Sequence, residues 1–91
     1  MTPVKDMSEL VLGDYILEYT CNGLKVRFAF ISKVSCLHPE SLRGILIKDY
    51  QPNVGAEVYI GSDYYISAVG YTKIFKLTEE EFVCHVALEC I

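Results

Sequence analysis

The chain has 91 residues, 52 % of them apolar, and a net charge of −4 from twelve acidic and eight basic side chains. That length holds one small core, and that apolar content excludes a disordered chain. The eight Lys and Arg are scattered with no two adjacent, which argues against the basic stripe that displaces counterions from nucleic acid.

Residues 1–7 read as a flexible N-terminal arm and residues 8–91 as a single small β domain. The opening Met1-Thr2-Pro3-Val4-Lys5-Asp6 has no apolar signal core, and no apolar run approaches bilayer length. The expected location is therefore cytoplasmic, with no membrane partner. Cys21, Cys36, Cys84 and Cys90 show no C-x-x-C spacing and read as reduced thiols that pack as small hydrophobes.

A hairpin comes next. Tyr15, Leu17 and Tyr19 alternate with Ile16, Glu18 and Thr20, and Leu24, Val26, Phe28 and Phe30 alternate with Lys25, Arg27 and Ala29. A period of two marks strands with one buried face. Between the runs lies Asn22-Gly23, a dipeptide suited to positive φ in a two-residue turn. That turn predicts Cys21 opposite Leu24, Tyr19 opposite Val26, Leu17 opposite Phe28 and Tyr15 opposite Phe30. Tyr15, Leu17, Tyr19, Val26, Phe28 and Phe30 would form one wall of the core. The other face, Glu18 with Arg27 and Thr20 with Lys25, would be solvated sheet.

Beyond residue 34, Pro39 breaks the strand. Residues 44–49 read as a third strand and 50–55 as a loop of Pro, Asn and Gly. Residues 57–60 and 64–69 are short strands around a turn at Gly61-Ser62-Asp63, and 72–77 is the sixth. The tail fits a strand with Phe82, Cys84, Val86, Leu88 and Cys90 on one face, or a helix with Glu81, His85 and Glu89 in one stripe. Thr78 followed by Glu81 is a capping box, which favours the helix. The expected fold class is mainly β, or α+β: a small antiparallel barrel or rolled sheet of about six strands with a C-terminal helix.

No catalytic motif is present, and no catalytic residue, metal ligand or cofactor is assigned. Cys36 and His38 could form a nucleophile and base, but nothing else in the sequence supports them. The seven tyrosines stand out, five of them after residue 49. Tyrosine combines contact area with a hydrogen-bonding tip at little entropic cost, although ring packing in a β core accounts for many of them. The loops around residues 49–53 and 62–65 mix aromatic and hydrogen-bonding groups. Asp49, Tyr50, Asn53, Asp63, Tyr64 and Tyr65 are therefore the candidate binding residues.

Two segments carry a resemblance. Glu9-Leu10-Val11-Leu12-Gly13-Asp14-Tyr15-Ile16 resembles the opening E-L-x-I-G-N-x-V of short proteins encoded by phages and prophages of Bacteroides-like bacteria. Ile74-Phe75-Lys76-Leu77-Thr78-Glu79-Glu80 resembles their closing I-x-P-L-T-E-E, with Lys76 in place of the proline. The resemblance covers under a fifth of the chain and implies a small SH3-like β-barrel from a mobile element, at work in the bacterial host cytoplasm. It implies no catalytic residues. The functional expectation is a non-enzymatic binding module with a host protein as partner, by analogy an inhibitor of a bacterial defence system. The alternatives are a small-molecule or nucleotide-binding sponge and a small enzyme. Nucleic acid is disfavoured by charge, and a homodimer through an edge strand or the apolar tail stays open.

Overall fold

Six antiparallel strands form one open sheet in the computed structural model, which describes residues 1–23, 25–38, 41–66 and 72–88. They are β1 (Thr2–Pro3), β2 (Tyr15–Asn22), β3 (Lys25–His38), β4 (Ser41–Gln51), β5 (Ala56–Tyr65) and β6 (Thr72–Leu77), in the spatial order β1-β6-β2-β3-β4-β5. Among the described residues the sheet does not close on itself and β1 and β5 are its edges, so of the expected barrel or rolled sheet the closed barrel is not seen. The sheet does curl strongly. Tyr64 on β5 donates to Glu18 on β2 at 2.5 Å, across three strand spacings that span about 14 Å in a flat sheet. A kink in β3 helps, where the ladder to β4 breaks between Ser32 and Cys36 and Lys33 takes φ 50.

The β2–β3 hairpin forms, two residues out of the expected register. Tyr19 lies opposite Phe28, Leu17 opposite Phe30, Cys21 opposite Val26 and Asn22 opposite Lys25. Asn22 is thus the last paired residue of β2, and Gly23 turns the corner at φ 62. The observed register puts Tyr19 and Phe28 side by side in place of the expected Tyr15–Phe30 pair. Because the shift is even, every side chain keeps its face.

The faces themselves need correction. The side carrying Glu18 and Arg27 is not solvated sheet but the concave interior. Leu10, Ile16, Ala29, Ile31, Val34, Leu42, Leu46, Ile66 and Ile74 form the main core there, and Glu18 is 2 % exposed among them. Ile16, Ala29 and Ile31 are apolar too, so β2 and β3 bury both faces. The expected wall is the convex outer face, where Leu17, Phe30, Leu77 and Phe82 make a second, smaller core.

Two further expectations change. Residues 57–60 and 64–65 belong to one continuous strand, β5, paired with β4 from Ala56 to Tyr65, so Gly61-Ser62-Asp63 is not a turn. Extended backbone there keeps hydrogen bonds that a turn would give up. Residues 1–7, expected as a loose arm, contain β1, which pairs with Lys76 and Phe75 of β6. Leu24, Pro39, Glu89, Cys90 and the end of the expected strand 64–69 lie outside the described residues.

The tail is helical from Thr78. Its hydroxyl accepts from the Glu81 amide at 3.1 Å while the Glu81 carboxylate accepts from the Thr78 amide at 2.9 Å. This capping box opens α1 (Glu79–Val83), which a π-helical turn (Cys84–Leu88) continues. Phe82 sits 4.8 Å from Tyr15 and His85 stacks on Phe30 at 5.4 Å. The helical segment therefore lies on the outer face. No helix among the described residues is long and apolar enough to cross a membrane.

Candidate functional site

Two clusters carry the chemistry, one on each face of the sheet. On the concave face, Arg27 grips Asp49 with Nε 3.0 Å from each carboxylate oxygen and Nη2 2.8 Å from Oδ2. Its Nη1 donates to the Tyr64 hydroxyl at 2.6 Å and lies 3.6 Å from Glu18 Oε1. The Tyr64 hydroxyl in turn donates to Glu18. A charge-assisted fork of this kind fixes geometry strongly. The Asp49 bond raises the Arg27 guanidinium still further above its ordinary value. Burial, then the bond to Glu18, raises the Tyr64 phenol. The quartet links β2, β3, β4 and β5 across the concave face.

The outer face is organised in cross-strand rows. One row runs Phe75–Leu17–Phe30–Lys48–Tyr59 from β6 to β5. The helical segment covers it, with Phe82 and Val86 in the apolar cluster and the His85 carbonyl accepting from Lys48 Nζ at 3.2 Å. Lys48 is buried beneath this cover, within 5.8 Å of the Phe30, Tyr50 and Tyr59 ring centres and 3.5 Å from Glu57. The Tyr59 hydroxyl, and then Lys48, hold Glu57 below the usual carboxylate range.

The next row is Lys73–Tyr19–Phe28–Tyr50–Glu57. Tyr19 and Phe28 are 5.1 Å apart and Phe28 and Tyr50 stack at 6.1 Å, so three rings form a ladder over adjacent strands. All three stay half-buried, with exposed Lys73 at one end and exposed Glu57 at the other. Beside them an open depression of about 230 Å³ is lined by Met1, Leu17, Tyr19, Phe28, Lys73 and Phe75. Its floor is apolar and Lys73 is its only ionised side chain.

The residues singled out in the sequence do not form one patch. A bulge at Ile47, which drops out of register with both neighbouring strands, sets Lys48 and Tyr50 outward and Asp49 inward. Asp49 and Tyr64 accordingly meet on Arg27 inside the curl. Tyr50 belongs to the outer ladder. Asn53 accepts from the Val26 amide at 3.1 Å, tying the 52–55 turn to β3. Asp63 and Tyr65 share Arg43, at 3.7 Å from the carboxylate and 5.1 Å above the ring, near the other end of β5. Tyr19, Phe28 and Lys73 were missed as surface residues, because alternation assigns the first two to core. The signal for them was Ile16, Ala29 and Ile31, which show that the opposite face is the more apolar one.

Cys21, Cys36 and Cys84 are free thiols. The His38 backbone amide, then Ser41 and Arg43, lower the Cys36 thiol. Cys36 pairs across the ladder with Arg43 and His38 with Ser41. Comparison with known proteins gives no match: no protein-family model, no curated protein and no solved structure matches this chain.

Proposed function

We propose that this protein is a non-enzymatic binding module that acts by occupying a protein partner on its outer sheet face. The observation that carries the reading is the ladder Tyr19–Phe28–Tyr50, half-buried beside the helical segment with a cation and an anion at its two ends. Half-exposed aromatic rings in a row give a partner large contact area with little side-chain entropy to lose. The resemblance to phage and prophage proteins adds a bacterial host protein as the proposed partner and a defence component as its class.

Retention of proteins from a host lysate on the immobilised chain, compared with folded Tyr50→Ser and Lys73→Glu variants, tests this. A protein retained by wild type and lost from both variants supports the reading; identical retention by all three overturns it.

A nucleotide-like ligand is the second reading, because ring faces beside Lys73 suit a base and its phosphate. A thermal-shift panel of mononucleotides and cyclic dinucleotides tests it. A ligand at a hundred times its Kd stabilises the fold by about 2.7 kcal/mol, and a flat panel ends the idea.

A further inference from the structure

We infer that the open ladder seats an amphipathic α-helix of a partner protein, lying antiparallel to the chain's own helical segment; this rests on the binding reading above.

Length comes first. From Lys73 on β6 to Glu57 on β5 the row crosses four strand spacings, about 19 Å at 4.8 Å each. Because the face is convex this is the length along its surface, so a straight helix laid on the row needs at most about 13 residues at 1.5 Å each, an ordinary length in globular proteins. The chain already covers the adjacent row in this manner. α1 begins near β6 and β2, where Phe82 meets Tyr15 and Leu77, and its π-helical continuation ends over β3 and β4, where His85 reaches Phe30 and Lys48. One helix on a sheet face that is apolar over two rows leaves room for a second beside it.

Charge sets the direction. A helix carries partial positive charge at its N-terminus and partial negative charge at its C-terminus. Exposed Lys73 therefore takes its C-terminus, which leaves its N-terminus at the Glu57 end, where the carboxylate is already paired with Lys48, opposite in sense to α1. The depression lined by Met1, Tyr19, Phe28 and Phe75 lies at the Lys73 end. It takes one large apolar side chain from the last turns of the incoming helix.

Other occupants fit less well. An added strand pairs with a sheet edge, whereas the ladder lies on a face. A second copy of this chain has the right ends, since a two-fold axis along the strands sets Lys73 of one copy over Glu57 of the other. That same axis drives both helical segments into the single layer of about 10 Å that packed sheets leave between them.

The test is selection of displayed random peptides of about 16 residues, long enough for the required span, on the immobilised full chain. Enriched peptides are measured by fluorescence anisotropy against wild type, Tyr50→Ser and Lys73→Glu. The expected result is apolar residues at i, i+3, i+4 and i+7, with affinity at least about tenfold weaker for Tyr50→Ser. A spin label on the peptide C-terminus should broaden the amide signals around Lys73, and one on the N-terminus those around Glu57. Ladder-dependent peptides that alternate with a period of two, or bind in the reverse sense, overturn the helix and leave the binding reading standing. Peptides that bind equally to all three proteins, or no enriched peptide at all, overturn the helix; the lysate comparison then decides the binding reading separately.

Discussion

Arg27 and Tyr64 meet inside the curl of the sheet, with guanidinium Nη1 2.6 Å from the phenol oxygen and the guanidinium carbon 5.3 Å above the ring. The pair joins β3 to β5, two strands apart, and connects Asp49 to Glu18 through a single cation. Two carboxylates therefore share the Arg27 guanidinium.

Replacing Arg27 by Met should be costly. Glu18 at 2 % and Asp49 at 16 % side-chain exposure would both lose the Arg27 guanidinium. Breaking a buried pair costs about 3–5 kcal/mol, and because the Arg27 side chain is 29 % exposed a loss of about 2–4 kcal/mol is expected. Urea unfolding of the variant measures it. A triple variant with Glu18→Leu and Asp49→Leu should recover much of the loss.

Tyr64 predicts an alkaline limb in stability. Its folded-state ionisation lies above the ordinary phenol value, so its contribution is fully present below that ordinary value, about 10. It disappears as the pH rises through the higher native one. Tyr64→Phe should flatten this limb and cost about 1–3 kcal/mol at neutral pH, where Glu18 loses a donor. Thermal melts of both proteins from pH 8 upward compare the slopes.

Gly44 is required by close packing. A Cβ there would overlap the Ile31 Cγ2 methyl and come within 3.3 Å of the Ser32 carbonyl oxygen. Gly44→Ala should therefore destabilise by about 1–3 kcal/mol. Combined with Ile31→Ala, which removes the opposing methyl, it should cost less than the sum of the two single changes. Equal additivity would mean that backbone, not Ile31, is the obstacle.

The helical cover depends on its first turn. Thr78→Ala should cost about 1 kcal/mol by removing the cap, and melting followed at the Tyr15–Phe82 contact reads it. Glu81 is held below the usual carboxylate range by the Met1 ammonium and then by Thr78. Its contribution is present above the ordinary glutamate value and fades as the pH falls through that value toward the lower native one. Glu81→Gln should remove this acid dependence.

The sequence made some of this legible and left other parts dark, for physical reasons. The capping box predicts the helix because Thr78 and Glu81 act through backbone groups three residues away. The hairpin is legible for the same reason, in Asn22-Gly23 and its alternating flanks. Its register is not, since two registers an even number apart bury the same faces and each brings one aromatic pair together, Tyr19 with Phe28 or Tyr15 with Phe30. Which face turns inward depends on curvature set by the break at Lys33 and the long reach from Tyr64 to Glu18. No local pattern encodes either. Among the candidate site residues, Tyr50 was found by composition, whereas Tyr19 and Phe28 were hidden by an alternation that describes core and exposed ladder equally well.

The bulge at Ile47 gives β4 a spatial reading frame. Leu42, Gly44 and Leu46 point inward on one phase, and Asp49 points inward on the other. Ile47 is the extra residue against β3, whereas on the other side it faces two residues of β5, Ile60 and Gly61. A strand lacking it would still send Leu46 to the core, Lys48 and Tyr50 outward and Asp49 to Arg27. Loss of Ile45 would instead turn Leu46 out of the core. Loss of Ile47 would therefore regularise the ladder to β3 but force the ladder to β5 to re-register across Ile60 and Gly61.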